Sequence, residues 1–161
     1  MAIQTGLSFD FLEELPLGIH TLAEGSPNDT IMVALYGPNA QIPRAMSTYV
    51  TTGEISGGGY SAGGKELTDG FVMVGRSGSG RNAGPQFEYS YLQPANDFQY
   101  LVSGVAIRGL MVYNASQGNR NIFTMDFGQT IIPAYGIELP WGVGTITTRA
   151  ETLIPLLGQT T

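Results

Sequence analysis

The residue types that do proton chemistry near neutral pH are scarce in this chain, which has one histidine, His20, and no cysteine. A serine nucleophile needs a base beside its hydroxyl and a carboxylate behind the base, yet no serine motif surrounds His20. Asp97, Asp126 and Glu138 are the carboxylates that could serve as a pair in glycoside hydrolysis, which requires two such groups at a working separation. Nothing in their order along the chain brings two of them together, so they read as solvated or turn-forming residues. Gly78-Ser79-Gly80-Arg81-Asn82-Ala83 has the spacing of a dinucleotide fingerprint. That fingerprint works only where a helix N-terminus follows to receive the pyrophosphate, whereas here Gly84-Pro85 leads into an alternating strand pattern. Asp126-Phe127-Gly128 copies a kinase triplet without the loops that give the triplet a role. One histidine and scattered carboxylates offer no recognisable metal-ligand spacing. The expectation is therefore a chain with no catalytic residue, no cofactor and no metal.

Two other features have ordinary structural readings. Asn28-Asp29-Thr30 and Asn114-Ala115-Ser116 fit the glycosylation sequon, but both read as turns. Trp141, between Pro140 and Gly142, reads as a corner residue packed on a core, with sugar stacking as its alternative use.

The elements that would position these residues are nearly all strands. Ser8 to Leu15 is the exception: Phe9, Leu12 and Leu15 recur at helical spacing, Ser8 and Asp10 suit a helix start, and Pro16 and Gly18 stop it early. A helix this short depends on docking its apolar face. From Thr30 onward, short runs of β-branched and aromatic residues alternate with turn clusters. Strands are expected at Thr30 to Tyr36, Glu66 to Gly75, Phe87 to Leu92, Tyr100 to Tyr113, Ile122 to Phe127, Ala134 to Leu139 and Val143 to Thr148, with a short apolar tail at Leu153 to Leu157. In Tyr100 to Tyr113, the longest apolar run, Gly104 and Gly109 predict a bend or the close approach of another backbone. Gly118-Asn119 predicts a hairpin turn into Ile122 to Phe127. With no helical pattern between strands, the expected fold is all-β: an antiparallel β-sandwich, jelly-roll-like, forming one domain over 1–161 with an N-terminal helical arm over about 1–20. The stretch between Pro38 and Lys65 carries little strand signal, and a loop of that length in a compact domain points to partner contacts.

Composition restricts the partners. Charged residues make up 12% of the chain, about half the roughly 25% of ordinary soluble domains, and 42% of residues are apolar. A surface with so few charges is expected to be covered in part by another protein. The formal charge of −6 gives no basic field for a polyanion, so direct nucleic-acid binding is not expected. No apolar run has the length of a membrane span, and Met1 to Asp10 lacks the pattern of a secretion signal, so a protein made in the cytoplasm and free of membrane is expected.

Four segments resemble a family of small virion proteins of tailed bacteriophages. These are the N-terminal pattern carried by Ser8-Phe9, Glu14-Leu15, Gly18 and His20; the strand Ala34-Leu35-Tyr36; the run from Tyr49 to Lys65, Tyr-Val-Thr-Thr-Gly-Glu-Ile-Ser-Gly-Gly-Gly-Tyr-Ser-Ala-Gly-Gly-Lys; and the closing hairpin with Arg108 to Asn114, Gly118-Asn119-Arg120 and Asp126-Phe127-Gly128. Asp69 to Leu101 matches that pattern least. The resemblance implies a structural role in a virion. The expectation that follows is a capsid decoration or cement protein that self-associates, as a trimer, and bridges major capsid subunits; the alternative is a neck, tail or fibre component. Residues expected to touch partners are Phe9, Leu12, Glu54, Ile55, Tyr60 and Lys65, with Met1 to Leu15 as an arm reaching onto a neighbour.

Overall fold

The structure, a computed structural model, describes residues 2–22, 29–66, 71–77, 84–90, 102–134 and 143–147. The expectations placed on Asp97, Glu138, Trp141, the Gly78 to Ala83 loop, Ala134 to Leu139 beyond Ala134, and Leu153 to Leu157 lie outside the described residues. In chain order the elements are β1 (Gly6–Leu7), α1 (Phe9–Glu14), a 3-10 turn (Leu15–Leu17), β2 (Ile31–Tyr36), β3 (Lys65–Glu66), β4 (Phe71–Ser77), β5 (Gly84–Ser90), β6 (Ile107–Asn114), β7 (Arg120–Ile131) and β8 (Val143–Thr147). They form two antiparallel sheets, one of five strands in the order β1-β7-β6-β2-β3 and one of three in the order β4-β5-β8. The fold is thus mostly antiparallel sheet with one short helix.

The longest apolar run does supply the central strand, because β6 lies between β7 and β2 in the larger sheet. It is shorter than expected: the strand begins at Ile107, and Gly104 ahead of it turns the chain with φ of 70°. Gly109 marks the close approach that a strand glycine suggests, since a Cβ there would run into the carbonyl of Met125. The expected strand Glu66 to Gly75 is divided, with Lys65–Glu66 pairing with β2 in one sheet and Phe71–Ser77 pairing with β5 in the other. In the smaller sheet Phe87 lies opposite Met73 on one side and Ile146 on the other.

Strand alternation divides the larger core into two clusters. Ile31, Val33 and Leu35 of β2 join Leu110 and Val112 of β6 in one, while Ala34 and Tyr36 join Met111 and Tyr113 in the other. Both faces of these strands are therefore covered. Phe11, Leu22, Ile55, Tyr60 and Val102 close the first cluster, and Ile3, Ala40 and Ile42 close the second. A bulge where Val112 faces Phe123 and Tyr113 faces Asn121 leaves Ile122 as an extra residue, so Ile122 and Phe123 both enter the first cluster instead of alternating.

The N-terminal segment is not an arm reaching away from the body. Gly6 and Leu7 pair with Thr124 and Phe123 at the sheet edge, and Ile3, Leu7 and Phe11 are buried in the chain's own core. The Ser8 side chain caps α1 by accepting a hydrogen bond from the Phe11 amide at 3.1 Å, as its position before the apolar run predicts. Phe11 and Glu14 form the buried side of α1, Leu12 and Leu15 flank it, and Phe9 turns outward with its ring under the Arg44 guanidinium at 4.7 Å. The expected face, Phe9-Leu12-Leu15, is therefore rotated so that the one fully enclosed aromatic is Phe11. Ser8→Ala should cost about 1 kcal/mol of stability, read as an earlier urea midpoint at unchanged slope.

Candidate partner-contact region and two polar clusters

The stretch from Gly37 to Gly64 folds back along the edge of β2. Past β3, the backbone of β2 still needs partners: Leu35 O accepts from Ile55 N at 3.0 Å, Gly37 N donates to Gly53 O at 2.9 Å, and Tyr36 bridges to Glu54. Leu35 N donates to a side chain, the phenolic oxygen of Tyr60, at 2.9 Å. A side chain thereby completes the ladder at an edge that would otherwise be open.

Glu54 holds this arrangement together. Its Oε1 accepts from the Tyr60 hydroxyl at 2.7 Å and from Gly63 N at 2.9 Å, and its Oε2 accepts from the Tyr49 hydroxyl at 2.5 Å. The Tyr49 ring stacks on that of Tyr113 with centroids 4.5 Å apart, and the Tyr113 hydroxyl donates to Gly63 O at 2.6 Å. Tyr36 donates to Val50 O at 2.6 Å. Burial pushes the phenols of Tyr60, Tyr49, Tyr36 and Tyr113 above the ordinary tyrosine range, and the Glu54 carboxylate pushes each further in that direction. These hydroxyls stay protonated and act as hydrogen-bond donors, not as bases.

A second cluster lies under the N-terminal turn. His20, with its side chain fully buried, is 2.8 Å from Glu14 Oε2 through Nε2 and 2.9 Å from the Asn114 amide nitrogen through Nδ1. Glu14 also pairs with Arg120. Asn114 donates to Asp29 Oδ2 at 2.7 Å, and Asp29 further accepts from Thr21 N at 2.8 Å and Gln117 Nε2 at 3.1 Å. Burial lowers the His20 pKa and outweighs the attraction of Asp29. Burial alone would raise the Asp29 carboxyl, but the hydrogen bonds from Asn114, Thr21 and Gln117, helped by His20, together hold it below the ordinary range. Of the two hydrogen-bond partners of His20, Asn114 is 94 positions away and leaves no local sign, and Glu14 is six residues away across the Pro16–Gly18 break.

The expected contact residues fall into different environments. Phe9 is 48% exposed and Leu12 is half-buried. Ile55 and Tyr60 lie in the core at 6% and 5% exposure, closing the sheet, so their side chains are taken up inside the chain. Glu54 is half-buried with its oxygens engaged, and Lys65 is half-buried in β3 opposite Val33. The 37–64 region leaves exposed the glycine-rich tip Ser56 to Gly59 with Ser61-Ala62, and also Pro38-Asn39, Ser47-Thr48 and Thr51 to Gly53. Leu17, at 71%, and Ile132, at 65%, are exposed apolar residues to which the sequence reading assigned no contact.

Asp126 takes Arg108 in a two-point pair, Nε to Oδ1 at 2.6 Å and Nη2 to Oδ2 at 3.2 Å, and its Oδ1 also accepts from Gly128 N at 2.8 Å. The Asp-Phe-Gly triplet lies within β7, at the bulge between the Gly109–Asp126 and Ile107–Ile131 pairs, with Gly128 at φ of 76°. Asn114, the last residue of β6, is fully buried with its Oδ1 accepting from Ser116 N and Gln117 N of the turn that follows, which leaves its amide no room for a glycan. Among the described residues no group of three or more His, Cys, Asp or Glu side chains could hold a metal ion, and no helix is long and apolar enough to cross a membrane. No family model, curated protein or solved structure matches this chain.

Proposed function

We propose that this chain is a non-enzymatic structural protein of a tailed-phage particle, serving as a capsid decoration or cement protein that binds major capsid subunits as a homo-oligomer, a trimer. The observation that carries the reading is the architecture of Tyr49 to Lys65, the run most similar to the phage virion proteins: its glutamate and tyrosines close a sheet edge and present a small glycine-rich tip. A scaffold that spends its polar side chains on fixing a loop, and offers backbone and small residues outward, suits close packing against another protein surface. Exposed Phe9 and Leu17 on the N-terminal turn add apolar contact area. In this reading the three-stranded sheet is the second layer of a sandwich.

Sedimentation of the phage's separated heads and tails after mixing with purified protein tests the reading. Saturable binding to heads at hundreds of copies is expected. Binding to tails, or in a dozen copies or fewer at one vertex, would move the protein to the neck, tail or fibre, and binding to neither would overturn the virion role.

A further inference from the structure

The orientation of Asn114 determines where the proton sits on His20. Asn114 Oδ1 accepts from Ser116 N at 3.0 Å and Gln117 N at 3.2 Å, so its amide nitrogen is the atom that points at His20 Nδ1 and Asp29 Oδ2. A nitrogen facing an N–H donor must offer a lone pair. Nδ1 is therefore unprotonated, and the ring proton is on Nε2, donated to Glu14. Four stretches of chain meet in the network around this ring: α1 through Glu14 and the end of β6 through Asn114 bond to it directly, while the segment ahead of β2 joins through Asp29, bonded to Asn114, and the start of β7 through Arg120, which holds Glu14.

We propose that the Glu14–His20–Asn114–Asp29 chain is an acid-sensitive latch, in which uptake of one proton at His20 Nδ1 releases the Gly18 to Leu22 segment from the 114–117 turn. The added N–H would meet the Asn114 N–H head-on. Turning the Asn114 amide over does not relieve the conflict, because its nitrogen would then face the amides of Ser116 and Gln117 and Asp29 would lose a donor. The remaining route is separation of the two segments, breaking the paired Thr21–Asp29 contacts, Thr21 N to Asp29 Oδ2 and Asp29 N to Thr21 O.

The charged groups facing the ring do not remove the conflict. Glu14 and Asp29 would attract a cation, but Glu14 is already shared with Arg120 and Asp29 is occupied by three donors. Arg120 opposes a second positive charge, β6 contributes only the neutral amide, and the Phe11 ring, 4.9 Å from the imidazole, supplies no acceptor for the new proton. The inference stands on this geometry and is independent of the virion role.

Because His20 is the only histidine, its imidazole gives one set of NMR signals. The expected result is the Nε2–H tautomer at pH 7.5 and a protonation midpoint below the ordinary 6.5. The direction follows from linkage: a group whose folded pKa is depressed contributes fully above its unfolded value, and that contribution is lost as pH falls from there to the folded one. Opening of the latch, read by hydrogen exchange at the Thr21 and Asp29 amides after correction for intrinsic rates, should rise about tenfold per pH unit below 6.5 until the folded ring titrates. His20→Gln should abolish that pH dependence. An Nδ1–H tautomer, a midpoint at or above 6.5, or protection that does not change with pH would overturn the proposal, and all three are read on the wild-type chain even if the variant fails to fold.

Discussion

Glu54→Ala should destabilise this protein by about 3 kcal/mol, the combined loss of three hydrogen bonds to one carboxylate, seen as a large fall in the urea midpoint. The reason is what the substitution leaves behind. The Tyr60 hydroxyl would still accept from Leu35 N but have no acceptor for its own proton, and Tyr49 and Gly63 N would lose theirs. Leaving a buried donor unmade costs more than the net gain from making the bond. Glu54→Gln should cost less, because one oxygen still accepts while the new NH₂ faces a donor. Tyr60→Phe makes the complementary test: it removes the acceptor for Leu35 N as well as the donor to Glu54, so it should combine with Glu54→Ala by much less than the sum of the two. Strict additivity in that double-mutant cycle would show that the two residues do not act as a unit.

Gly64→Ala should be at least as damaging, about 3 kcal/mol or more from backbone strain and overpacking together. Gly64 has φ of 74°, and a Cβ there would overlap the carbonyl of Val33 in the adjoining strand β2. The neighbour is backbone already paired within the sheet and cannot rotate away. Gly118→Ala is the control: with φ of 66° but open space around the Cβ position, it should cost only about 1–2 kcal/mol, the penalty for an L-residue in the left-handed region. Equal effects on thermal unfolding at the two sites would show that the close approach of Gly64 to β2 contributes nothing.

Local chemistry made several elements legible in the sequence. The Ser8 cap, the break at Pro16 and Gly18, the apolar run of β2 and the Gly118-Asn119 turn each rest on interactions within a few residues, and each is found where those interactions predict. The rotation of α1 was not legible. A six-residue helix has too few apolar positions to choose between Phe9 and Phe11, and the choice follows from which side meets β7 and the first core cluster.

The region from Gly37 to Gly64 shows the same division. Its glycines and lack of alternation correctly indicate that it is no regular strand, but its role as the edge closure of β2 depends on Tyr60 lying 25 residues from Leu35 and Tyr113 lying 50 from Gly63. His20 likewise reads as a solitary residue until Asn114, 94 positions away, meets it. What the sequence by itself determined is the strand-rich texture, the short capped helix and the low charge, all set by residue type and near-neighbour spacing. What only the tertiary structure decided is which polar groups meet: hydrogen bonds between distant segments leave no periodicity in a chain, and it is the packing of β2, β6 and β7 that brings those groups within reach.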